Sequence, residues 1–256
     1  MTATVNDIYG FIREIAPFET AADFDNVGIL VGKSSAPVQK ILVALDATTD
    51  VVREAKEMGA DLIVTHHPLL FHARKTLIED DPEGMILCEM VRAHLSLISA
   101  HTNLDQTEYS GSACCGRLLH LKDMRKAGDY LFLGELEQPM TANELNAFLS
   151  ETLHFPVRRY GDESRLIRIL AIAGGADDED WQLAKESGAQ ALLTGEVRHH
   201  NALAAVMSDF VLFDGGHYAT EAPLVPRLSE YLQNRLNDVK CNVRVFPSQC
   251  APFGCV

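Results

Sequence analysis

Two adjacent imidazoles, His66 and His67, follow the short apolar run Leu62 to Val64 and are stopped by Pro68. Such a run suits a buried parallel strand, and in open α/β sheets ligands bind beyond the carboxyl ends of strands. Imidazole is the commonest side-chain ligand for transition metals. Taken alone, the pair is equally well read as two polar residues opening a loop. Two further patterns shift that balance: His101-x-x-x-Asp105 and His217-x-x-x-Glu221 each set a carboxylate four residues after an imidazole. With Glu196, these residues exceed the three protein ligands plus water that one catalytic zinc ion takes. The chemistry implied is a pair of divalent metals roughly 3.5–4 Å apart, as in two-metal hydrolytic sites, with a carboxylate such as Glu221 able to bridge them. Mixed nitrogen and oxygen donors suit Zn, Mn, Fe, Co or Ni and disfavour Cu(I), which prefers sulfur. Two ions bring more charge than Asp105 and Glu221 cancel, which leaves room for hydroxide or an anionic small-molecule substrate.

Elements must bring these residues together. Apolar spacing predicts a helix over Val5 to Ile15, a strand over Lys40 to Asp46, a helix from about Val51 to Gly59, and the strand that ends at His66. Leu95 to Ala100 forms a further strand leading into His101, followed by a helix from Gly111 to Leu121. Thr141-x-x-Glu144 is a capping box opening a helix to about Leu153. Strands at Arg168–Ala173, Ala189–Leu193 and Phe210–Phe213 follow, the last leading into Asp214 and His217, and a helix and a strand close the chain.

An internal repeat underlies this order. Ala55-Lys-Glu-Met-Gly-Ala60 and Ala184-Lys-Glu-Ser-Gly-Ala189 agree at five of six positions at an offset of 129, which also sets Thr65 on Thr194. The fold expected is α/β: two similar α/β halves, residues 1–125 and 126–256, related by a pseudo-twofold, with the metal site in the cleft between them.

The remaining candidates receive plainer readings. Asp25-Asn26 reads as turn chemistry, with orientation of a ligand as the less favoured alternative. His72 lines its loop, and His94, His120 and His154 sit at helix ends as surface or capping residues. Of His199 and His200 at most one faces the cleft. Gly174-Gly175 is not a phosphate loop, because neither the Walker pattern nor a full G-x-G-x-x-G surrounds it. Cys114 and Cys115 read as small buried hydrophobes; Cys250 and Cys255 read as free thiols rather than a pair or metal ligands.

Composition limits the function classes. The 256 residues are 47% hydrophobic and 23% charged, with a formal net charge of −14. That acidic balance argues against nucleic acid, whose binding depends on Lys and Arg. No apolar run approaches the roughly 20 residues of a membrane helix, so no membrane partner is expected. The first ten residues lack a basic and an apolar signal region, and with scattered cysteines a cytoplasmic protein is expected.

The assembled motifs resemble one family. Phe24-Asp-Asn-Val-Gly-Ile-Leu-Val-Gly32, Gly59-Ala-Asp-Leu-Ile-Val-Thr-His-His-Pro68, His101-Thr-Asn-Leu-Asp105, Thr194-Gly-Glu196 with His199-His200, and Gly216-His-Tyr-Ala-Thr-Glu221 occur in the order of the YbgI-like (Nif-three-like) dinuclear metal proteins. Members commonly bear the name GTP cyclohydrolase 1 type 2 homologue. The resemblance implies metal ligation by His66, His67, Asp105, His217 and Glu221, with Glu221 bridging, and a ring-shaped homohexamer. It leaves His101 near the site, a candidate proton shuttle, and Glu196 a second catalytic candidate. It implies a metal-dependent hydrolase acting on a nucleotide or other phosphorylated small molecule. The alternative is a non-catalytic metal-dependent regulatory or metal-handling ring.

Overall fold

The computed structural model describes residues 2–251. They form two compact units, one made of residues 2–107 with 225–251 and the other of 108–224. The units therefore interleave in sequence instead of dividing at a single point near residue 125. The cause is the C-terminal strand, which returns to the first sheet.

Thirteen strands are present among the described residues. In the first unit, β1 (Ala3–Thr4) pairs with β3 (Pro37–Val38) as a small antiparallel ribbon. The main sheet contains β2 (Gly28–Val31), β4 (Lys40–Ala44), β5 (Leu62–Thr65), β6 (Ser96–Ser99) and β13 (Arg244–Pro247), in the order β13-β4-β5-β6-β2. All pairings are parallel except β2 with β6. Every residue of β5 and β6 is buried, which is why these strands read as unbroken apolar or small-residue runs rather than alternating ones.

One face of this sheet packs Leu42, Ile63 and Leu97 against helices Thr49–Met58 and Pro82–Arg92 through Val52, Ala55, Leu87 and Met90. Elsewhere in the unit, helix Leu224–Asp238 is tied to helix Val5–Ile15: Tyr231 donates to the Phe11 carbonyl at 2.8 Å, and Arg235 pairs with Glu14. Gly59 ends the helix before β5 in the left-handed conformation, φ 66°, where a side chain would be strained.

The second unit holds β7 (Lys122–Lys126), β8 (Phe132–Thr141), β9 (Arg158–Tyr160), β10 (Leu166–Ala173), β11 (Ala191–Thr194) and β12 (Val211–Asp214), in the order β7-β8-β10-β11-β12-β9. The trio β10-β11-β12 is parallel and the flanking pairings are antiparallel. Successive side chains alternate between faces: Leu170 and Ile172 pack with Leu145 and Leu149, whereas Ala171 and Ala173 pack with Trp181 and Ala205. Both faces are thus covered. The capping box at Thr141 and Glu144 is formed as expected. Strand β7 was not legible in sequence, because its residues are nearly all charged and it lies exposed at the sheet edge.

The two sheets share a register. Ile41 faces Leu62 and Ala44 faces Thr65 in the first; Leu170 faces Ala191 and Ala173 faces Thr194 in the second. Each of these four pairs of equivalent positions differs by the repeat offset of 129. In both sheets the third parallel strand also carries an antiparallel edge strand, β2 on β6 and β9 on β12.

Candidate metal-binding residues at the strand ends

In the first unit, β5 delivers His66 and His67 directly beyond its carboxyl end. Backbone pairing continues past the strand: His67 N–H donates to the Leu45 carbonyl at 2.9 Å. His66 is fully buried, and its Nδ1 lies 2.9 Å from the Ala100 carbonyl. A carbonyl only accepts, so Nδ1 carries the proton and Nε2 presents its lone pair. Nε2 lies 3.4 Å from Asp105 Oδ1. His67 Nδ1 lies 2.7 Å from Asp46 Oδ1. Asp46 comes from the end of the neighbouring strand β4 and fixes His67 in the same way.

His101 follows β6 and precedes the one-turn helix Thr102–Asp105, which puts Asp105 four residues on. Its Nδ1 lies 3.0 Å from Asp25 Oδ1. Asp25 also accepts from the Thr102 backbone and hydroxyl. Burial pushes the Asp25 carboxyl up, but the hydrogen bonds from His101 and Thr102 outweigh it and hold the group well below the usual carboxylate range. The turn reading of Asp25 holds, since its carboxylate accepts from the Asn26 N–H at 2.8 Å, and the same carboxylate also orients the His101 imidazole, the alternative less favoured from sequence. One ligand atom from each of His66, His67 and His101 falls within 4.8 Å of the others.

In the second unit, His217 opens the short helix His217–Glu221. The i, i+4 spacing puts Glu221 on the same face, with Oε2 3.1 Å from His217 Nε2. His217 Nδ1 lies 2.7 Å from Glu196 Oε1. Glu196 follows β11, so the structure places it behind an imidazole. The Gly174-Gly175 pair serves this arrangement. A Cβ at Gly175, where φ is +70°, would collide with Glu221 Oε1 and reach within 3.2 Å of His217 Nε2. Gly111 leaves similar room, since a Cβ there would lie 2.9 Å from Glu221 Cγ.

Other sequence candidates fall away from these clusters. His94, His120 and His154 are exposed at helix ends with φ of 56°, 56° and 51°, as capping residues do. His199 and His200 are both exposed on the first turn of helix His199–Met207. Arg198 is engaged by Asp178 and Glu179, and Arg74 by Asp81 and Glu83. Cys114 and Cys115 are buried in helix Gly111–Leu118, and burial pushes the Cys115 thiol up to about 12. Cys250 is a free thiol near Glu54; Cys255 lies outside the described residues. No helix among the described residues is long and apolar enough to cross a membrane.

The sequence alone does not mark Asp46 as a partner of His67. Its signal was positional: an acid ending the strand next to the one that ends in His66-His67.

These units define an α/β protein whose strand ends gather imidazoles and carboxylates of the kind that bind divalent metal ions. The chain belongs to the Duf34/NIF3 (NGG1p interacting factor 3) family, whose profile matches residues 3–252. It is 34% identical over 242 residues to a GTP cyclohydrolase 1 type 2 homolog of Clostridium perfringens, covering 91% of this chain and 92% of that protein. A protein of the same name from Clostridium acetobutylicum is 31% identical over 260 residues, covering 97% of each. Among solved structures, a Bacillus cereus protein related to NIF3 superposes with a TM-score of 0.95 at 19% identity, covering 100% of this chain and 99% of that one. A Staphylococcus aureus protein gives 0.93 at 26% identity, covering 98% of each.

Proposed function

We propose that this protein is a dinuclear metal-dependent hydrolase acting on a nucleotide or another phosphorylated small molecule. One observation supports this most. Four imidazoles, of His66, His67, His101 and His217, each have Nδ1 against an oxygen acceptor: Ala100, Asp46, Asp25 and Glu196 respectively. That arrangement leaves Nε2 as the donor atom on all four. For His66, His67 and His217 it is the pattern that outer carboxylates and carbonyls impose on metal-bound histidine; for His101 it leaves Nε2 as the atom that exchanges a proton.

The donors fit a pair of divalent transition ions. His66, His67, Asp105, His217 and Glu221 would hold them, with Glu221 as the shared carboxylate. The first unit alone offers nitrogens and one acid, and the second offers one imidazole with a buried acid, so the two sets complement each other chemically. Bound ions would supply Lewis acidity and activate water at neutral pH.

The chain's own residues do the rest. Ala100, Asp46 and Glu196 accept the Nδ1 protons and hold the ligating rings in one tautomer. His101, with its Nδ1 proton on Asp25, offers Nε2 to take up and return a proton. Glu196 acts through His217 as a positioning residue instead of as an acid or base. The names of the curated relatives point to a purine nucleotide as one substrate to test. A homohexameric, cytoplasmic protein completes the reading, on the family resemblance of the motifs.

The test is direct. Protein loaded with each common divalent metal is incubated with GTP and a panel of phosphoesters, while formate and phosphate release are followed. Turnover that disappears in His101→Gln supports the reading. Absence of turnover with every metal, at protein levels well above trace, would refute it.

A further inference from the structure

Among the described residues, Phe24 and Phe71 are the aromatic members of the exposed large apolar side chains, 68% and 37% exposed. They belong to one unit and face each other, ring centroids 6.3 Å apart at 66°. Phe71 is also 6.1 Å from the His101 ring, edge to face. An open aromatic pair thus borders the imidazole cluster.

The pair is held in place. Asn26, two residues after Phe24, donates its side-chain amide to the Leu70 carbonyl, immediately before Phe71. Between them, Asp25 grips His101 and Thr102, and the Ala22 N–H donates to the Thr102 hydroxyl at 2.9 Å. The same turn that fixes the imidazole therefore sets both phenyl rings. Aromatic faces beside polar reacting groups suit a planar ring, which stacks on them while its polar edge stays exposed.

We propose that Phe71, with Phe24, is a stacking platform for a planar heteroaromatic ring joined to an anionic group. The platform selects ring-bearing phosphates over ring-free ones. The proposal rests on the hydrolase reading above and narrows its substrate class. The anionic group is directed towards the metal donors and the ring towards the phenyl pair.

The test compares guanosine 5′-monophosphate with ribose 5-phosphate, by calorimetric titration of the full chain. The nucleotide is expected to bind more tightly. Phe71→Leu is expected to weaken it about 10-fold, the scale of one lost base stack, and to leave ribose 5-phosphate within about twofold. Phe71→Tyr is expected to restore the nucleotide's affinity. No preference for the nucleotide, including binding of neither compound, would overturn the proposal. So would equal losses for both ligands. A change in sedimentation mass for Phe24→Leu or Phe71→Leu with unchanged affinity would assign the pair to a second copy of the chain instead. Equal turnover of ring-free esters and nucleotides would sink the platform and leave the hydrolase standing. Ring-selective binding without any turnover would do the reverse.

Discussion

The two units run the same three parallel strands in the same register, yet they end them differently. Two residues beyond Thr65 stands His67; two beyond Thr194 stands Glu196. Two beyond Ala44 stands Asp46, which holds His67; two beyond Ala173 stands Gly175, whose missing side chain admits Glu221. The first unit has become rich in nitrogen donors, with three clustered imidazoles. The second pairs one imidazole with carboxylates. A repeated scaffold fixes where strand ends lie, and substitutions there decide which donor atoms they present.

The largest expected effect falls on His66, which is fully buried. On the dinuclear proposal, His66→Ala should lower bound metal from two ions per chain to one or none by elemental analysis. It should also destabilise the apo protein, because it empties a packed site and strands the Ala100 carbonyl; an unsatisfied buried group costs about 1–3 kcal/mol. Unchanged metal content in this variant would break the proposed asymmetry, since the nitrogen-rich unit would then not be the anchor.

The glycines sharpen the comparison. Gly175→Ala puts a methyl group against Glu221 at a positive φ and should cut metal affinity as well as stability. Gly188 has a positive φ of 96° with nothing within 4 Å of a Cβ. Gly188→Ala should cost only the backbone strain, about 1–2 kcal/mol, and leave metal binding unchanged. Equal metal losses in the two variants would show that strain, not room for Glu221, decides.

Removing the carboxylates behind the imidazoles should have a smaller effect. Asp46→Ala in the first unit and Glu196→Ala in the second should each weaken metal binding about 10–100-fold. Asp46 should give the greater loss, because Glu196 is the more exposed acid, 60% against 34% for Asp46. Competition titration with a chelating dye would rank them.

The smallest effect is a pH dependence confined to the second unit. Burial, with the neighbouring acids Asp180, Glu179 and Asp178, raises the Asp177 carboxyl to about 6, and its Oδ2 is buried without a hydrogen-bond partner. A carboxyl whose folded pKa is raised stabilises the fold when protonated. That stability is lost as pH climbs from about 4 through about 6. Asp177→Asn should therefore raise stability at neutral pH by about 1–2 kcal/mol, with one pKa unit worth about 1.4 kcal/mol. It should also flatten the denaturation midpoint between pH 4 and 6. A slope that persists in the variant would place the titrating group elsewhere.

Much of this was legible in sequence where the signal is local. His66-His67 after an apolar run, the two i, i+4 imidazole–carboxylate patterns and the Ala-Lys-Glu repeat all act over a few residues. Residues whose roles depend on distant pairing were not legible. Asp25 looks like any Asp-Asn turn until a partner 76 residues away, His101, is brought to it. Asp46 reads as the end of a strand, and Gly175 as half of an unexplained glycine pair. Strand β13 could be predicted as a strand, but not its return to β4, which interleaves the units. Local periodicity specifies elements, whereas register across a sheet determines which strand ends become neighbours.

The most direct measurement is anomalous diffraction from metal-loaded crystals, combined with elemental analysis of the same preparation. The expected result is two ions per chain, coordinated between them by His66, His67 and Asp105 from one unit and His217 and Glu221 from the other. A single ion held by one unit alone, or fully loaded protein with no density at these side chains, would contradict a shared dinuclear centre.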